Sequence, residues 1–216
     1  MTRVSRPGRV VHRAAMDPSG AEAPWTGLPP GRCARCLHRQ EWCLCPDIPR
    51  LETRTRIVIV REHRERFRSS NTGRLAHLAL TTSALCDVGG PGRLVLGPGE
   101  PDPDAWLLFP EGPPRTEAPT PPPSTIIVLD ASWPGARRMR QRLPGLQGRR
   151  MLALAPIAAT SRMRKAPDAS RVSTIEAIAA VLRLLGEPAA ADALDRLFEV
   201  AVERQRRSGR QPHEAG

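Results

Sequence analysis

Four of the five cysteines lie close together, in the stretch "CARCLHRQEWCLC" that spans residues 33–45. Cys33 and Cys36 have the C-x-x-C spacing of a zinc knuckle, whereas Cys43 and Cys45 form a tighter C-x-C pair. Two close pairs of thiolates separated by a short loop can surround one tetrahedral zinc ion. The spacing therefore predicts a structural zinc site, with unligated thiols or a redox pair as the alternatives.

Two further residues that could bind a metal, His38 and Cys86, have simpler interpretations. His38 lies inside the cysteine loop and could replace one thiolate, but we expect it to face solvent. Cys86 ends an apolar stretch that we interpret as a helix, and we expect it to be a small core residue.

The N-terminus has no hydrophobic signal region, so we expect a cytoplasmic protein, in which cysteines more often bind metal than form disulfides.

A second candidate site lies in "TIIVLDASWPGARRMRQR", residues 125–142. An apolar, β-branched strand ends at Asp130, and Trp133 and a run of arginines follow. A carboxylate at the end of a buried strand can act as a base or orient a cationic group, or it can cap the next helix. Trp133 can stack on a base or fill the core beneath its loop.

The charge of the chain limits its partners. Its 216 residues carry a formal net charge of +11, and Lys165 is the only lysine among 33 basic residues. Codon usage can explain the choice of arginine over lysine but not the excess of positive charge. Such an excess favours a polyanionic partner, most simply a nucleic acid. No apolar run approaches the ~20 residues of a membrane span, so we expect no transmembrane helix.

Short apolar segments alternate with helical patterns along the chain. The sequences "RIVIV", "RLVLG", "AWLLFP", "TIIVLD" and "MLALAP" are typical of buried strands. Helices are predicted at 71–86, after Pro134, at 173–186 and at 190–207, and Ser173 and Glu176 have the spacing of a capping box. This order predicts an α/β fold, with a mostly parallel sheet and helices on both faces.

In parallel sheets, ligands bind outside the C-terminal ends of the strands. That edge would hold residues 61–71, Pro110, residues 130–133 and residues 156–173. Asn71, Thr72 and Gly73 open a helix there; they can hold an anion such as a carboxylate, or serve as a local cap with a close-packed glycine.

We predict four segments along the chain. Residues 1–29 are a disordered basic segment, 30–48 a zinc-binding four-cysteine element, 50–203 the main domain and 204–216 a disordered tail. The stretch "EGPPRTEAPTPPPS" is predicted to be a proline-rich surface loop.

Four further motifs carry a resemblance to a known family. "NTGRLA" (71–76), "DASWPGARRM" (130–139), "SRMRK" (161–165) and "STIEAIA" (173–179), in this order after the cysteine cluster, resemble the motifs of DTW-domain proteins. Residues 130–133 resemble the D-x-T-W element of that family, with Ser132 in place of threonine. Glu65 is similar to a glutamate that often precedes N-T-G in the family, and His63 is a more speculative site residue; both can equally be surface residues.

The resemblance implies a tRNA-uridine aminocarboxypropyltransferase. Such an enzyme transfers the 3-amino-3-carboxypropyl group of S-adenosylmethionine to N3 of a tRNA uridine, in bacteria one of the variable loop. It also implies a SPOUT-like fold, with a knotted C-terminal half that binds the cofactor, after a small zinc knuckle of four cysteines.

On that resemblance, Asp130 is the predicted catalytic base or proton acceptor. The predicted cofactor-binding residues are Asn71, Thr72, Gly73, Pro110, Trp133, Ser173, Thr174 and Glu176. The predicted RNA-binding residues, each of which can equally be a solvated surface charge, are Arg137, Arg138, Arg140, Arg162, Arg164 and Lys165. Two other functions stay open: a SPOUT-type RNA methyltransferase, and a zinc-containing RNA-binding protein without catalytic activity.

Overall fold

The computed structural model describes residues 30–89, 102, 104–155 and 172–208. Its centre is a six-stranded sheet in which every paired strand is parallel, in the order β2-β1-β5-β3-β6-β4. This confirms the predicted parallel α/β fold. The strands are β1 (Arg56–Glu62), β2 (Ala84–Val88), β3 (Trp106–Leu108), β4 (Pro114–Arg115), β5 (Thr125–Asp130) and β6 (Met151–Leu154).

Helices cover both faces of this sheet, also as predicted. Three helices pack in one apolar cluster with alternate residues of β1 and β5, and α2 packs in a second cluster on the opposite face. Within the described residues, no helix is both long and apolar enough to cross a bilayer. The helices are α1 (Thr72–Ala79), α2 (Trp133–Arg142), α3 (Thr174–Leu184) and α4 (Pro188–Arg207).

The continuous apolar character of β1 follows from burial on both sides. Ile57 and Ile59 face α1, α3 and α4, whereas Val58 and Val60 face the cluster that contains α2. Successive side chains of a strand point to opposite faces, so residues 57–60, which lie between the two helical layers, are all apolar. Each fully buried side chain of this size contributes roughly 1.5–3 kcal/mol.

The predicted helix at 71–86 is wrong in its second half. Helix α1 ends at Ala79, and residues 84–88 form β2, which pairs with β1 at the edge of the described sheet. The polar residues Thr81, Thr82 and Ser83 make the turn, where Ser83 Oγ donates to the Leu80 carbonyl at 2.6 Å. Cys86 therefore lies half-buried on a strand, not at the end of a helix.

Two other segments differ from the sequence-based expectations. The proline-rich stretch contains β4, a two-residue edge strand that pairs with β6. Helix α4 ends at Arg207, as the predicted helix at 190–207 does, so the first four residues of the predicted disordered tail, 204–207, are helical. The predicted strand "RLVLG" and the connection from β6 to α3 at 156–171, through which the predicted knot would pass, lie outside the described residues.

Candidate active site and metal centre

Asp130 ends β5 at the C-terminal edge of the sheet, and its side chain is only 2% exposed. Its two carboxylate oxygens have different partners. Asn71 Nδ2 donates to Oδ2 at 2.5 Å, and Thr174 Oγ1 donates to Oδ1 at 2.7 Å. The structure thus joins three predicted site residues that are far apart in the sequence.

Asn71 and Gly73 fix the position of this carboxylate above the start of α1. Asn71 is the N-cap of α1, because its Oδ1 accepts a hydrogen bond from the Arg74 amide at 2.8 Å. A Cβ atom on Gly73 would lie 2.6 Å from Asp130 Oδ2. Both local interpretations, the N-cap and the close-packed glycine, are therefore confirmed, and both serve Asp130. Thr72 is buried between them.

The start of α3 supplies the other contact. The predicted capping box is confirmed, since the Ser173 amide donates to Glu176 Oε2 at 2.7 Å and Ser173 Oγ accepts from the Glu176 amide at 3.4 Å. This box holds the first turn of α3, and Thr174 in that turn reaches Asp130. Within the box, Ser173 and Glu176 have a structural role.

Arg61 is a further residue of this site that was not among the predicted site residues. Arg61 is the register partner of Asp130 on the neighbouring strand and is 1% exposed. Its Nε and Nη2 donate to the Asp87 carboxylate at 2.7 and 3.1 Å. Its Nη1 is buried and has no hydrogen-bond partner among the described residues. The available sequence signal was a charged residue directly after four buried apolar ones.

The pKa of Asp130 lies above that of an ordinary aspartate. Burial is the main cause, because removal from water disfavours the charged form, and the buried Glu65 carboxylate adds to the increase. Hydrogen bonds from Asn71 and Thr174 and the charge of Arg61 partly offset it. Glu65 is 4% exposed, so its interpretation as a surface residue is wrong. An aspartate with a raised pKa is a better proton acceptor than an exposed one.

Trp133 is the first residue of α2, three positions after Asp130 in the sequence. The N-cap of α2 is Ser132, whose Oγ accepts from the Gly135 amide at 3.3 Å, so the cap of this helix is not Asp130. Trp133 is partly buried in the first turn. A Cβ on Gly135 would lie 2.8 Å from Glu62 Oε2, so the end of β1 packs closely on the same turn.

The predicted RNA-binding arginines of α2 have different environments. Arg137 is exposed, and Arg138 is 55% exposed with an Nη2 atom 4.0 Å from the Glu62 carboxylate. Arg140 is paired with Glu111 at 2.7 Å and lies over the Phe109 ring. Arg137 and Arg138 are thus the more accessible cations. Pro110 is exposed after β3, and Arg162, Arg164 and Lys165 lie outside the described residues.

The four clustered cysteines converge as their spacing predicts. All four sulfur atoms lie within 4.8 Å of one another, with 3.6 Å between Cys33 and Cys45 and 3.8 Å between Cys36 and Cys43. Four sulfurs at about 2.3 Å from a tetrahedral zinc ion would be about 3.8 Å apart. The cluster can therefore hold a metal ion such as zinc.

Backbone amides favour the thiolate form of Cys33, whereas burial raises the pKa of Cys45. Burial opposes ionisation of Cys33, but hydrogen bonds from the Cys36 and Arg35 amides and from neighbouring thiols lower its pKa to about 7. Burial raises the pKa of Cys36. His38 is 6% exposed, and its Nδ1 lies 3.1 Å from the Cys36 carbonyl, so the prediction that it faces solvent is wrong.

The cysteine element, residues 30–48, packs on the main domain. Cys36 and Leu44 are part of the apolar cluster that contains α1, α3 and α4. The guanidinium of Arg204 on α4 donates to the Cys43 carbonyl and to the Asp47 carboxylate. The buried Arg74 of α1 donates to the Arg35 carbonyl at 3.4 Å. The helix that orients Asp130 therefore also contacts the cysteine element.

Comparison with known proteins gives one clear result. The family model described as DTW domain matches residues 31–206, which include the cysteine element and all six strands. No solved structure matches the chain.

Proposed function

The chain belongs to the DTW-domain family, the family of tRNA-uridine aminocarboxypropyltransferases, and we propose that it transfers the 3-amino-3-carboxypropyl group of S-adenosylmethionine to N3 of a tRNA uridine. We propose a uridine of the variable loop as the target. The family establishes the coarser function, a tRNA-modifying transferase. The single observation that supports the specific reaction is the buried Asp130 at the C-terminal edge of the sheet.

In this reaction, Asp130 takes the proton from N3 of the uridine. The N3 nitrogen of uracil is a weakly acidic imide, and it becomes an effective nucleophile when a positioned base removes its proton. The N3–Cγ bond forms as the Cγ–S bond breaks, and methylthioadenosine leaves. The sulfonium of S-adenosylmethionine is already a cationic leaving group, so the protein needs no general acid at that position.

Arg61 and the starts of two helices fit the amino-acid end of S-adenosylmethionine. The unpartnered Nη1 of Arg61 is a buried cationic donor suited to a carboxylate. We propose that Asn71, Thr72, Gly73, Thr174 and Trp133 surround this group, with Pro110 at the neighbouring strand end and Ser173 and Glu176 in support. We also propose that the C-terminal half is knotted and SPOUT-like.

The substrate RNA would approach over the arginines of α2. Arg137 and Arg138 are exposed beside Trp133 and suit phosphate contacts, which position RNA without reading its sequence. Arg162, Arg164 and Lys165 belong to the same proposal. Reaching N3 requires the uridine to leave its stack. We further propose zinc as the metal of the cysteine element, a cytoplasmic location and the segment boundaries given above, except that residues 204–207 belong to α4.

Mass spectrometry of nucleosides tests the reaction directly. Unmodified tRNA would be incubated with the purified protein and S-adenosylmethionine, beside Asp130→Ala. We expect aminocarboxypropyl-uridine from the wild type and about 10²–10⁴-fold less from the variant, because a positioned base contributes that much. A methylated nucleoside would replace the proposal with a methyltransferase. Tight tRNA binding with no product would favour a non-catalytic RNA-binding protein.

A further inference from the structure

A cleft lies where the cysteine element meets the last turn of α4, apart from Asp130 and its partners. Positive charge dominates its lining, which also contains an aromatic ring and a buried imidazole. The residues around it include Arg32, Arg39, Arg204, His38, Trp42 and Ser69.

The three arginines of this cleft are held by different contacts, and Arg39 is the one paired only with an exposed carboxylate among the contacts of the described residues. Arg39 is 63% exposed, and its nearest carboxylate, on the equally exposed Glu41, lies at 3.6 Å. Such exposed pairs contribute about 0–1 kcal/mol, so Arg39 can exchange Glu41 for a phosphate. Arg32 donates to the Leu37 carbonyl at 2.8 Å, a contact that orients its guanidinium. Arg204 is held by the Cys43 carbonyl and by Asp47.

His38 and Trp42 make the cleft more specific than a plain anion site. A carbonyl only accepts hydrogen bonds, so the contact of His38 Nδ1 with the Cys36 carbonyl assigns the proton to Nδ1. In the neutral ring Nε2 is then an acceptor, and it is buried without a partner among the described residues. An unpaired acceptor beside arginines suits a ligand with both an anion and a hydroxyl donor. Each RNA nucleotide offers both, as phosphate and ribose 2′-hydroxyl.

The cleft is also close to the proposed active site along the chain. Ser69 lines the cleft, and Asn71, which donates to Asp130, follows two residues later. Two consecutive peptide units span at most about 7.6 Å between Cα atoms. One RNA molecule can therefore contact both places.

We propose that this cleft binds the sugar-phosphate backbone of the substrate tRNA, with Arg39 as the principal phosphate contact and Trp42 as a stacking surface for a nucleotide. The cysteine element is then an RNA-binding part of the protein as well as a structural one. The identity of the RNA as tRNA rests on the proposed function, but the binding surface does not depend on the transferred group.

The salt dependence of tRNA affinity tests this role. The Kd of unmodified tRNA would be measured over a series of salt concentrations, without S-adenosylmethionine, for the full-length metal-loaded protein. Arg39→Gln should weaken binding and reduce the slope of log Kd against log salt by about 0.7–0.9, as expected for one lost phosphate contact. Arg39→Lys should retain the wild-type slope. The matched control is Arg196→Gln, which removes an exposed arginine from the middle of α4 and should leave the slope unchanged.

Two results would overturn the inference. One is an Arg39→Gln slope equal to that of Arg196→Gln, and the other is a wild-type protein that does not bind tRNA. Failure of the proposed reaction would give a different result. A wild-type protein that makes no aminocarboxypropyl-uridine, but whose slope of log Kd against log salt falls with Arg39→Gln, would still have the binding surface.

Discussion

The cysteine cluster is partly buried and the surroundings of Asp130 are fully buried, and the two are built in opposite ways. All four sulfurs of the cysteine element come from residues 33–45, and their approach is determined by local turns. Asp130 meets Asn71 and Thr174, which are 59 and 44 positions away in the sequence. The first cluster is a local motif, whereas the second exists only because parallel strands and helix starts meet at one edge.

Burial raises pKa values in both clusters, but the hydrogen-bond donors offset it to different extents. Amide donors around Cys33 lower its pKa to about 7, which favours the thiolate that a metal needs. Around Asp130, burial exceeds the effect of the donors and raises the pKa, which favours proton uptake. The donors thus favour the thiolate at Cys33, although burial raises the pKa of Cys36 and of Cys45, whereas burial favours proton uptake at Asp130.

The substitution Cys36→Ser should have the largest effect, and it acts on the cysteine element rather than on the surroundings of Asp130. A metal site with one ligand replaced loses affinity, and metal binding is coupled to folding. We expect the bound zinc to be lost and the free energy of unfolding to fall by several kcal/mol. Each kcal/mol lowers Tm by about 2–4 °C. Metal analysis by mass spectrometry and a thermal melt would measure both.

Cys86→Ser is the matched control, because Cys86 is half-buried on β2 and lies outside the cysteine cluster. It should retain zinc and show a much smaller change in Tm. Equal zinc content in Cys36→Ser and the wild type would contradict a metal site in the cysteine element.

Gly73→Ala tests the packing of α1 against Asp130. The new Cβ would lie 2.6 Å from the carboxylate oxygen, so Asp130 has to move. We expect a loss of roughly 1–3 kcal/mol in the free energy of unfolding, as in other overpacked sites, together with lower transferase activity. Denaturant unfolding and initial rates would measure the two effects.

The same substitution in an Asp130→Ala background provides the control. With the carboxylate absent, Gly73→Ala should be neutral or stabilise α1 by up to about 1 kcal/mol, because alanine has the higher helix propensity. An equal loss of stability in both backgrounds would show that the clash is not with Asp130.

Thr174→Val should have the smallest effect, on pH dependence. The Thr174 hydroxyl stabilises the ionised carboxylate and so lowers the pKa of Asp130; its removal raises that pKa further. Because the base works only when ionised, the acidic limb of the kcat/KM profile should move to higher pH. Thr174→Ser keeps the hydroxyl and should restore the wild-type profile. If the acidic limb of the profile does not shift in Thr174→Val, the group that titrates is not the carboxylate that accepts this hydrogen bond.

The sequence predicted local features better than distant ones. The metal-binding cluster, the α3 capping box and the strand that ends at Asp130 depend on neighbouring residues and were predicted. The early end of α1 was missed because the apolar spacing continues past Ala79. The turn at residues 81–83 ends this spacing, and β2 begins directly after the turn. Arg61 was missed because its importance comes from its register with Asp130 and Asp87, which only the sheet defines.

The long separations between Asn71, Asp130 and Thr174 have a consequence for folding kinetics. Contacts between distant parts of a chain form late, because the loops between them must close first, whereas a thirteen-residue cysteine motif can close early. An intermediate with native helices and a folded cysteine element would still lack the hydrogen bonds to Asp130. Recovery of enzymatic activity during refolding should therefore report the final step of sheet assembly.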